Sequence, residues 1–196
     1  MLRHSIAHVF PKEVITQRCR LRMFRESDMS PLRALILRNE PDLYVFRGLV
    51  PSAQTEESCL NLIRKYMAEW ALMEKFILAI ESKDNNRLIG QFFIRLRDPL
   101  VPKGEVGFYI DRSFWRKGLM TEIMTAMLEH CFLKIGFEKV FMRASTDNPA
   151  SQGVAIKMGL RREGLFIGDY RYSNGVLHDT FYYAILRSEY LERTSK

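Results

Sequence analysis

The spacing of apolar and polar positions predicts a chain that mixes strands and helices. Residues 14–24 alternate with period two and predict a first strand, whereas residues 28–39 carry apolar side chains at helical spacing. A second helix is expected to begin after Thr55, which is of the residue type that caps helix N-termini. The stretch 41–51, bracketed by prolines, is expected to be irregular.

The second half of the chain is richer in β-type patterns. The predicted elements are strands at 76–81, 88–96 and 105–110, a helix at 119–137, a strand at 139–144, a helix at 149–158 and two strands within 163–187, broken at 173–175. The order β-α-α-β-β-β-α-β-α-β-β predicts an α+β fold, with a mixed, largely antiparallel and splayed sheet flanked by helices in three layers, α/β/α. We expect one domain over residues 1–196, with residues 1–13 as an N-terminal tail.

Composition limits the class of protein without identifying it. Hydrophobic residues make up 47% and charged residues 27% of the 196 positions, which suits a chain that buries a core. No apolar run approaches the roughly 18 residues that a membrane helix needs, and the start resembles no signal peptide, so a cytoplasmic protein is expected. Three scattered cysteines indicate free core thiols. His4 and His8 have helical ligand spacing but no third partner, so no metal site is predicted.

The formal net charge of +7 leaves several ligand classes open. Four arginines crowd near the start, at positions 18, 20, 22 and 25. A basic surface suits nucleic acid, a polyphosphate ligand or an acidic substrate equally well. Charge alone does not choose among them.

One segment carries the most specific chemical signal. A strand at 104–110 leads into a turn that contains Arg116, Lys117 and Gly118, and a long amphipathic helix follows. Amide N–H groups in a first helical turn lack intrahelical partners, and the helix dipole favours an anion there. Glycine allows a close backbone approach. The segment therefore predicts a pyrophosphate site, with a basic helix start on a solvated face as the alternative.

At this point the sequence resembles a known family. The runs E-V-G-F-Y-I at 105–110 and F-W-R-K-G-L-M-T-E at 114–122 resemble the core motif of the GNAT superfamily of N-acetyltransferases, in its ribosomal-protein (RimJ/RimL-like) branch. Further matches are Arg20-Leu21-Arg22 followed by Asp28, Asn148-Pro149-Ala150-Ser151, Met158-Gly159-Leu160 followed by Glu163-Gly164, and Gly175 followed by Asp179. The resemblance covers roughly residues 15–190, in order along the chain.

The resemblance implies acetyl-CoA as the donor substrate and a set of binding residues. The backbone of Phe108, Tyr109 and Ile110 is expected to pair with the pantetheine arm as an added strand would. The amides expected to hold the pyrophosphate are those of Arg116, Lys117, Gly118, Leu119, Met120 and Thr121. Asn148 is expected to hold the pantetheine or to orient the start of its helix.

Two residues are candidates for proton transfer. Glu105, on the strand that faces the thioester in the family, is the candidate base, and a surface-strand glutamate is the alternative. Ser151 matches the N-x-x-S position and is the candidate acid that reprotonates the thiolate. A serine in a first helical turn is also what capping chemistry selects.

The acceptor amine is the least determined feature. A protein or peptide α-amine is expected, because the loops 40–55 and 166–176 hold few acids for a polyamine. Tyr44, Phe46, Tyr170 and Tyr172 are candidates for the acceptor entrance, with core or surface packing as the favoured alternative for each. The alternatives are a small-molecule amine as acceptor, or a basic RNA- or ribosome-binding module with a vestigial donor site. Nucleic acid is otherwise expected only through a ribosomal substrate, and both a monomer and a homodimer remain open.

Three positions depart from the family pattern. Arg116 stands where glycine is common, Met120 where alanine or glycine is usual, and Gly153 where the branch often has arginine. The Met120 side chain is expected either to crowd the backbone at the pyrophosphate or to face the core.

Overall fold

One eight-stranded sheet organises the protein. The computed structural model describes residues 10–43, 46, 48–98, 100–172 and 175–195. The strands are β1 (Glu13–Ile15), β2 (Cys19–Met23), β3 (Lys75–Ser82), β4 (Leu88–Asp98), β5 (Lys103–Ile110), β6 (Lys139–Ser145), β7 (Arg161–Arg171) and β8 (Leu177–Leu186). They lie in the order β1-β2-β3-β4-β5-β6-β8-β7, and every neighbouring pair is antiparallel except β5 and β6. This confirms the predicted mixed, largely antiparallel sheet.

Helices pack on both faces of this sheet. They are α1 (Met29–Arg38), α2 (Glu40–Leu43), α3 (Leu49–Ser52), α4 (Glu56–Ala71), α5 (Leu119–Glu129), α6 (Pro149–Lys157) and α7 (Arg187–Thr194). The α5 helix continues as a π-helical turn, His130–Ile135, and ends at Gly136, whose φ of 82° is in the left-handed region that favours glycine.

The structure differs from the sequence-based expectation near the start of the chain. The predicted strand 14–24 is a hairpin of β1 and β2, because the Thr16 hydroxyl and amide both donate to the Cys19 carbonyl and close a turn. The expectation of a tail at 1–13 is wrong for the described residues 10–13. Phe10 is buried and stacks on Phe76 with 4.0 Å between ring centroids, and Glu13 begins β1. Residues 1–9, with His4 and His8, lie outside the described part.

Two apolar clusters occupy the two faces of the sheet. One lies between the sheet and α5 and α6, and the other lies beneath α1–α4. Strand β4 shows why both exist, since Phe92 belongs to the first cluster and Phe93 packs on the second. Cys19, Cys59 and Cys131 are buried and free, as predicted for core thiols.

The sheet opens between its two parallel strands. Pairing of β5 with β6 is limited to Lys103, Gly104 and Glu105. From residue 106 onward β5 has no strand neighbour on that side within the described ranges, so its backbone groups there are available to another extended chain. The predicted splay of the sheet therefore lies between β5 and β6.

Capping chemistry fixes the start of α4, as the sequence predicts. The Thr55 hydroxyl accepts from the Ser58 amide at 3.1 Å, and the Ser58 hydroxyl accepts from the Thr55 amide at 3.2 Å. We expect Thr55→Ala to lower the free energy of unfolding by about 1 kcal/mol, because an orphan amide loses its acceptor. Chemical denaturation measures the change. Thr55→Ser keeps the hydroxyl and is the control; an equal loss in both variants would contradict the capping account.

Candidate functional site

A cleft of about 1420 Å³ begins where β5 and β6 diverge. It has two arms, which meet at β5. The turn arm is lined by residues 114–121 and by the start of α6, and the helical arm is lined by α2, α3, α4 and the sheet face beneath them. An extended ligand can therefore pass from one face of the sheet to the other.

Nearly all of the predicted site residues line this cleft. They are Glu105, Phe108, Tyr109, Ile110, Arg116, Gly118, Leu119, Met120, Thr121, Asn148 and Ser151. Lys117 is the exception. Its ammonium lies over the Phe114 ring, 5.3 Å from the centroid, and does not line the cleft.

The turn arm presents a row of backbone donors. In the described part of the chain, the N–H groups of residues 116–121 donate to no other group. They point outward at the N-terminus of α5, where the helix dipole adds partial positive charge. Gly118 has φ 75° and Arg116 has φ 58°, both in the left-handed region. The second value explains why glycine is common where this chain has arginine, since a side chain costs roughly 1–2 kcal/mol there.

A side chain from the opposite end of the sheet braces this turn. The Arg18 Nε donates to Glu122 Oε2 at 2.7 Å, and its Nη1 donates to the Lys117 carbonyl at 2.9 Å. Burial alone would raise the pKa of the Glu122 carboxyl, but hydrogen bonds from Thr16 and Arg18 hold the pKa below its ordinary value. The contact spans 104 residues of sequence, and no local pattern predicts it.

The departures from the family pattern have simple structural consequences. The Met120 side chain is 7% exposed and belongs to the apolar cluster under α5, so it faces the core. At Gly153, an added Cβ would meet no atom within 4 Å, so the missing side chain leaves open space beside the turn arm.

Asn148 and Ser151 meet at the start of α6. The Asn148 Oδ1 accepts from the Ser151 amide at 3.0 Å and caps the helix. The Ser151 hydroxyl forms no hydrogen bond with the described residues and lines the cleft. The capping interpretation of this motif is therefore correct for the Asn148 side chain. The Ser151 hydroxyl remains available to a ligand.

Charged side chains from four strands meet in the helical arm. Glu105 Oε1 accepts from Arg143 Nε at 3.1 Å and Nη2 at 3.0 Å, and Arg143 Nη1 donates to Asp169 at 3.1 Å. Arg95 lies directly opposite Glu105 in the β4–β5 pairing, with 3.8 Å between Nη1 and Oε2. The predicted surface-strand alternative for Glu105 does not describe this position, since the residue is 4% exposed.

Lys75 extends this charged row onto β3. It lies opposite Arg95, and its ammonium sits over the Phe93 ring, 4.3 Å from the centroid. Burial, together with the positive charge of Arg95, lowers the pKa of Lys75 to about 8. Phe93 in turn covers Gly107, where a Cβ would overlap the ring.

The aromatic candidates fall partly within the cleft. Phe46, Tyr170 and Tyr172 line the cleft, and Tyr44 lies outside the described residues. Tyr172 stacks on the His178 ring with 3.6 Å between centroids, and His178 Nδ1 lies 2.9 Å from an Asp147 carboxylate oxygen.

Neither a metal-binding cluster nor a membrane-spanning helix is found among the described residues. Across the described ranges, no group of three or more His, Cys, Asp or Glu side chains is arranged to hold a metal ion. Within the same ranges, no helix is at once long enough and apolar enough to cross a bilayer.

Comparison with known proteins places the chain among acetyltransferases. The acetyltransferase (GNAT) domain family matches residues 18–161. The uncharacterized N-acetyltransferase YoaA of Bacillus subtilis is 27% identical over 172 residues, which cover 88% of this chain and 95% of that protein. The ribosomal-protein-serine acetyltransferase of Escherichia coli is 22% identical over 151 residues, covering 76% of this chain and 83% of that protein. The structure of RimL, a ribosomal α-N-protein acetyltransferase in complex with coenzyme A, superposes with a TM-score of 0.80 at 21% identity. It covers 88% of this chain and 96% of that one.

Proposed function

The chain belongs to the GNAT family of acetyltransferases, and we propose that its acceptor is the α-amino group of a peptide or protein N-terminus. The protein is an acetyl-CoA-dependent N-acetyltransferase. Its relatives include an enzyme named for acetylating a ribosomal-protein serine. The identity of the acceptor amine is what we propose here.

The observation that carries the proposal is the open and charge-balanced helical arm. Among the described residues, the charged side chains that line it are Asp42, Glu69, Glu105 and Asp169, against Lys65, Lys75, Arg95 and Arg143. A polycationic acceptor such as a polyamine calls for an excess of carboxylates, and the described part of this arm shows none. An extended peptide is mostly neutral beyond its terminal amine, and it suits a long arm with balanced charge.

The residues of the turn arm fit the donor. The outward N–H groups of residues 116–121 suit the pyrophosphate, and Arg116 adds a full positive charge. The free edge of β5 at Phe108, Tyr109 and Ile110 suits an extended pantetheine arm, whose amides can pair with it as a strand would. We propose that Asn148, at the other wall, fixes the start of α6 against that arm. Lys117 is proposed to contribute its amide only, since its ammonium is directed at Phe114.

We propose that Glu105 and Ser151 move the protons. The amine must lose a proton before or during its attack on the thioester carbonyl, and Glu105 is proposed as the acceptor of that proton. The C–S bond then breaks, and the Ser151 hydroxyl is proposed to protonate the departing thiolate. Arg143 binds Glu105 through one oxygen and so orients the carboxylate within the arm.

Three of the four arginines near the start of the chain are paired with carboxylates, which does not favour an RNA-binding alternative. Arg18 pairs with Glu122, Arg20 pairs with Glu13 at 3.2 Å, and Arg22 forms a bidentate pair with Asp28. Arginines that are occupied by carboxylates offer little charge to a phosphate backbone.

The proposal is tested by comparing acceptor classes in a coenzyme A release assay. We expect a tripeptide with a free N-terminus to give a higher kcat/KM than spermidine, and the same peptide with a blocked N-terminus to give no turnover. Preference for spermidine, or turnover of the blocked peptide, would contradict it.

A further inference from the structure

Two buried polar atoms in the helical arm have no partner. They are the hydroxyl oxygen of Tyr109 and Oε1 of Gln91, and neither forms a hydrogen bond with any described residue. Tyr109 is 6% exposed and Gln91 is 4% exposed, and both side chains line the cleft. A buried polar atom without a partner carries a desolvation cost, so two such atoms in one place indicate a missing ligand.

The fold places these two atoms together. Gln91 and Tyr109 lie directly opposite each other in the β4–β5 pairing, so their side chains leave the same face of the sheet. The Gln91 side chain also has a hydrogen bond with the Tyr66 hydroxyl, and Tyr66 is itself buried. Since the Gln91 oxygen has no partner among the described residues, this contact fixes the amide nitrogen toward Tyr66 and leaves the oxygen for another donor.

The surroundings select a neutral ligand group. The Tyr109 ring packs against Phe46 with 5.4 Å between centroids, and the apolar residues of the cluster beneath α1–α4 surround the pair. Burial raises the pKa of Tyr109 well above its ordinary value, so the hydroxyl stays neutral and can donate a hydrogen bond. Between a fixed acceptor and a neutral hydroxyl, the matching group carries both a donor and an acceptor without a charge. An amide is such a group.

Resting on the proposed function, we propose that Gln91 and Tyr109 bind a backbone amide of the acceptor peptide, with the N–H donated to Gln91 Oε1 and the carbonyl accepting from the Tyr109 hydroxyl. Tyr109 lies on the strand whose free edge faces the donor, and Gln91 lies one strand farther, at a spacing of roughly 4.8 Å. Consecutive Cα atoms of a peptide are about 3.8 Å apart. Because Tyr109 adjoins the donor edge, the proposal places the first or the second amide after the reacting amine in this subsite.

The test uses the full chain, acetyl-CoA and matched acceptors. The acceptors are a tripeptide, its analogues in which the first or second amide is replaced by an ester, glycinamide and ethylamine. The variants are Gln91→Leu and Tyr109→Phe, and Tyr183→Phe is the control because Tyr183 is equally buried but lies outside the cleft. An ester lacks the N–H that would donate a hydrogen bond to Gln91 Oε1.

We expect Tyr109→Phe to fold normally, because it removes a hydroxyl that has no partner among the described residues. Gln91→Leu is expected to lower kcat/KM for the tripeptide roughly ten-fold, with ethylamine little changed. Since Tyr109 also belongs to the proposed donor site, its variant is judged by the ratio of kcat/KM for the tripeptide to that for ethylamine, which is expected to fall roughly ten-fold. The wild type is expected to prefer the amide to one of the ester analogues, and Gln91→Leu is expected to remove that preference. The control is expected to match the wild type.

The outcomes separate the subsite from the proposed function. If the variants act equally on the tripeptide and on ethylamine, or leave the amide-to-ester preference intact, the subsite is overturned and peptide acetylation stands. If no peptide is acetylated but glycinamide is preferred to ethylamine, and both variants remove that preference, the subsite is supported and the peptide acceptor is overturned. Turnover of none of these amines would overturn both.

Discussion

Replacing Gly118 with aspartate is expected to weaken acetyl-CoA binding by roughly 30- to 100-fold. The substitution puts a carboxylate at the N-terminus of α5, beside the amides proposed to hold the pyrophosphate. Two like charges about 5 Å apart repel by roughly 3 kcal/mol at an effective dielectric of about 20, and screening by salt lowers that figure. The same carboxylate can also cap the helix and occupy the amides that the donor needs. Calorimetric titration with acetyl-CoA measures the loss.

Gly118→Asn is the matched control for this prediction. Asparagine and aspartate have the same shape, and both tolerate the left-handed conformation that Gly118 adopts, with φ 75°. An added Cβ at this position would make only an ordinary contact with Arg18, at 3.7 Å, so there is room for either side chain and the cost of the left-handed backbone is common to both variants. The asparagine variant is expected to bind the donor much more tightly than the aspartate variant. Equal affinities would contradict an anion site at this turn.

Replacing Glu105 with glutamine is expected to lower kcat by roughly 100-fold or more, with little change in the KM for acetyl-CoA. A positioned general base contributes about 10²–10⁴-fold to a rate, and glutamine cannot take up the proton. The amide oxygen of glutamine still accepts from Arg143, so the geometry of the arm is retained. Steady-state kinetics with both substrates varied is the measurement.

Asp169→Asn separates proton transfer from the positioning of Arg143. Asp169 also accepts from Arg143, at 3.1 Å, but it lies on β7 and is not the proposed base. If Glu105 takes the proton, Glu105→Gln lowers kcat far more than Asp169→Asn does. If the two variants lower kcat equally, Glu105 acts only by holding Arg143.

The features that the sequence predicts are those set by local chemistry. Thr55 caps α4 through a residue three positions away, and Asn148 caps α6 in the same way. The turn that contains Gly118 combines a basic residue, a glycine and a helix start within a few positions. Each of these signals is complete within one turn of helix, so no knowledge of the fold is needed to interpret it.

The row of charged side chains in the helical arm depends on how the strands pair, so the sequence pattern alone does not predict it. Lys75, Arg95 and Glu105 share a face because they are directly opposite one another on β3, β4 and β5. A slip of one residue would send a strand's side chains to the other face. Strand β4 is apolar on both faces, with Phe92 and Phe93 adjacent, so its pattern does not fix which face is which.

Short or polar helices are also missed when helices are predicted from the spacing of apolar residues. Helices α2 and α3 have four residues each, and each contains a proline, so the stretch 41–51 is predicted as irregular. Helix α7 buries none of its residues fully and has no apolar stripe to detect. Its N-terminus is held by Glu189, which accepts from the Leu186 amide at 2.7 Å.

The acetyl position on a peptide that has two different amines tests the central claim most directly. The substrate is a peptide with a free N-terminus and one internal lysine, incubated with the protein and acetyl-CoA and mapped by fragmentation mass spectrometry. We predict a single acetyl group on the α-amine and none on the lysine. Acetylation of the lysine alone, or of neither amine while a small-molecule amine is acetylated, would contradict the assignment of this chain to peptide N-termini.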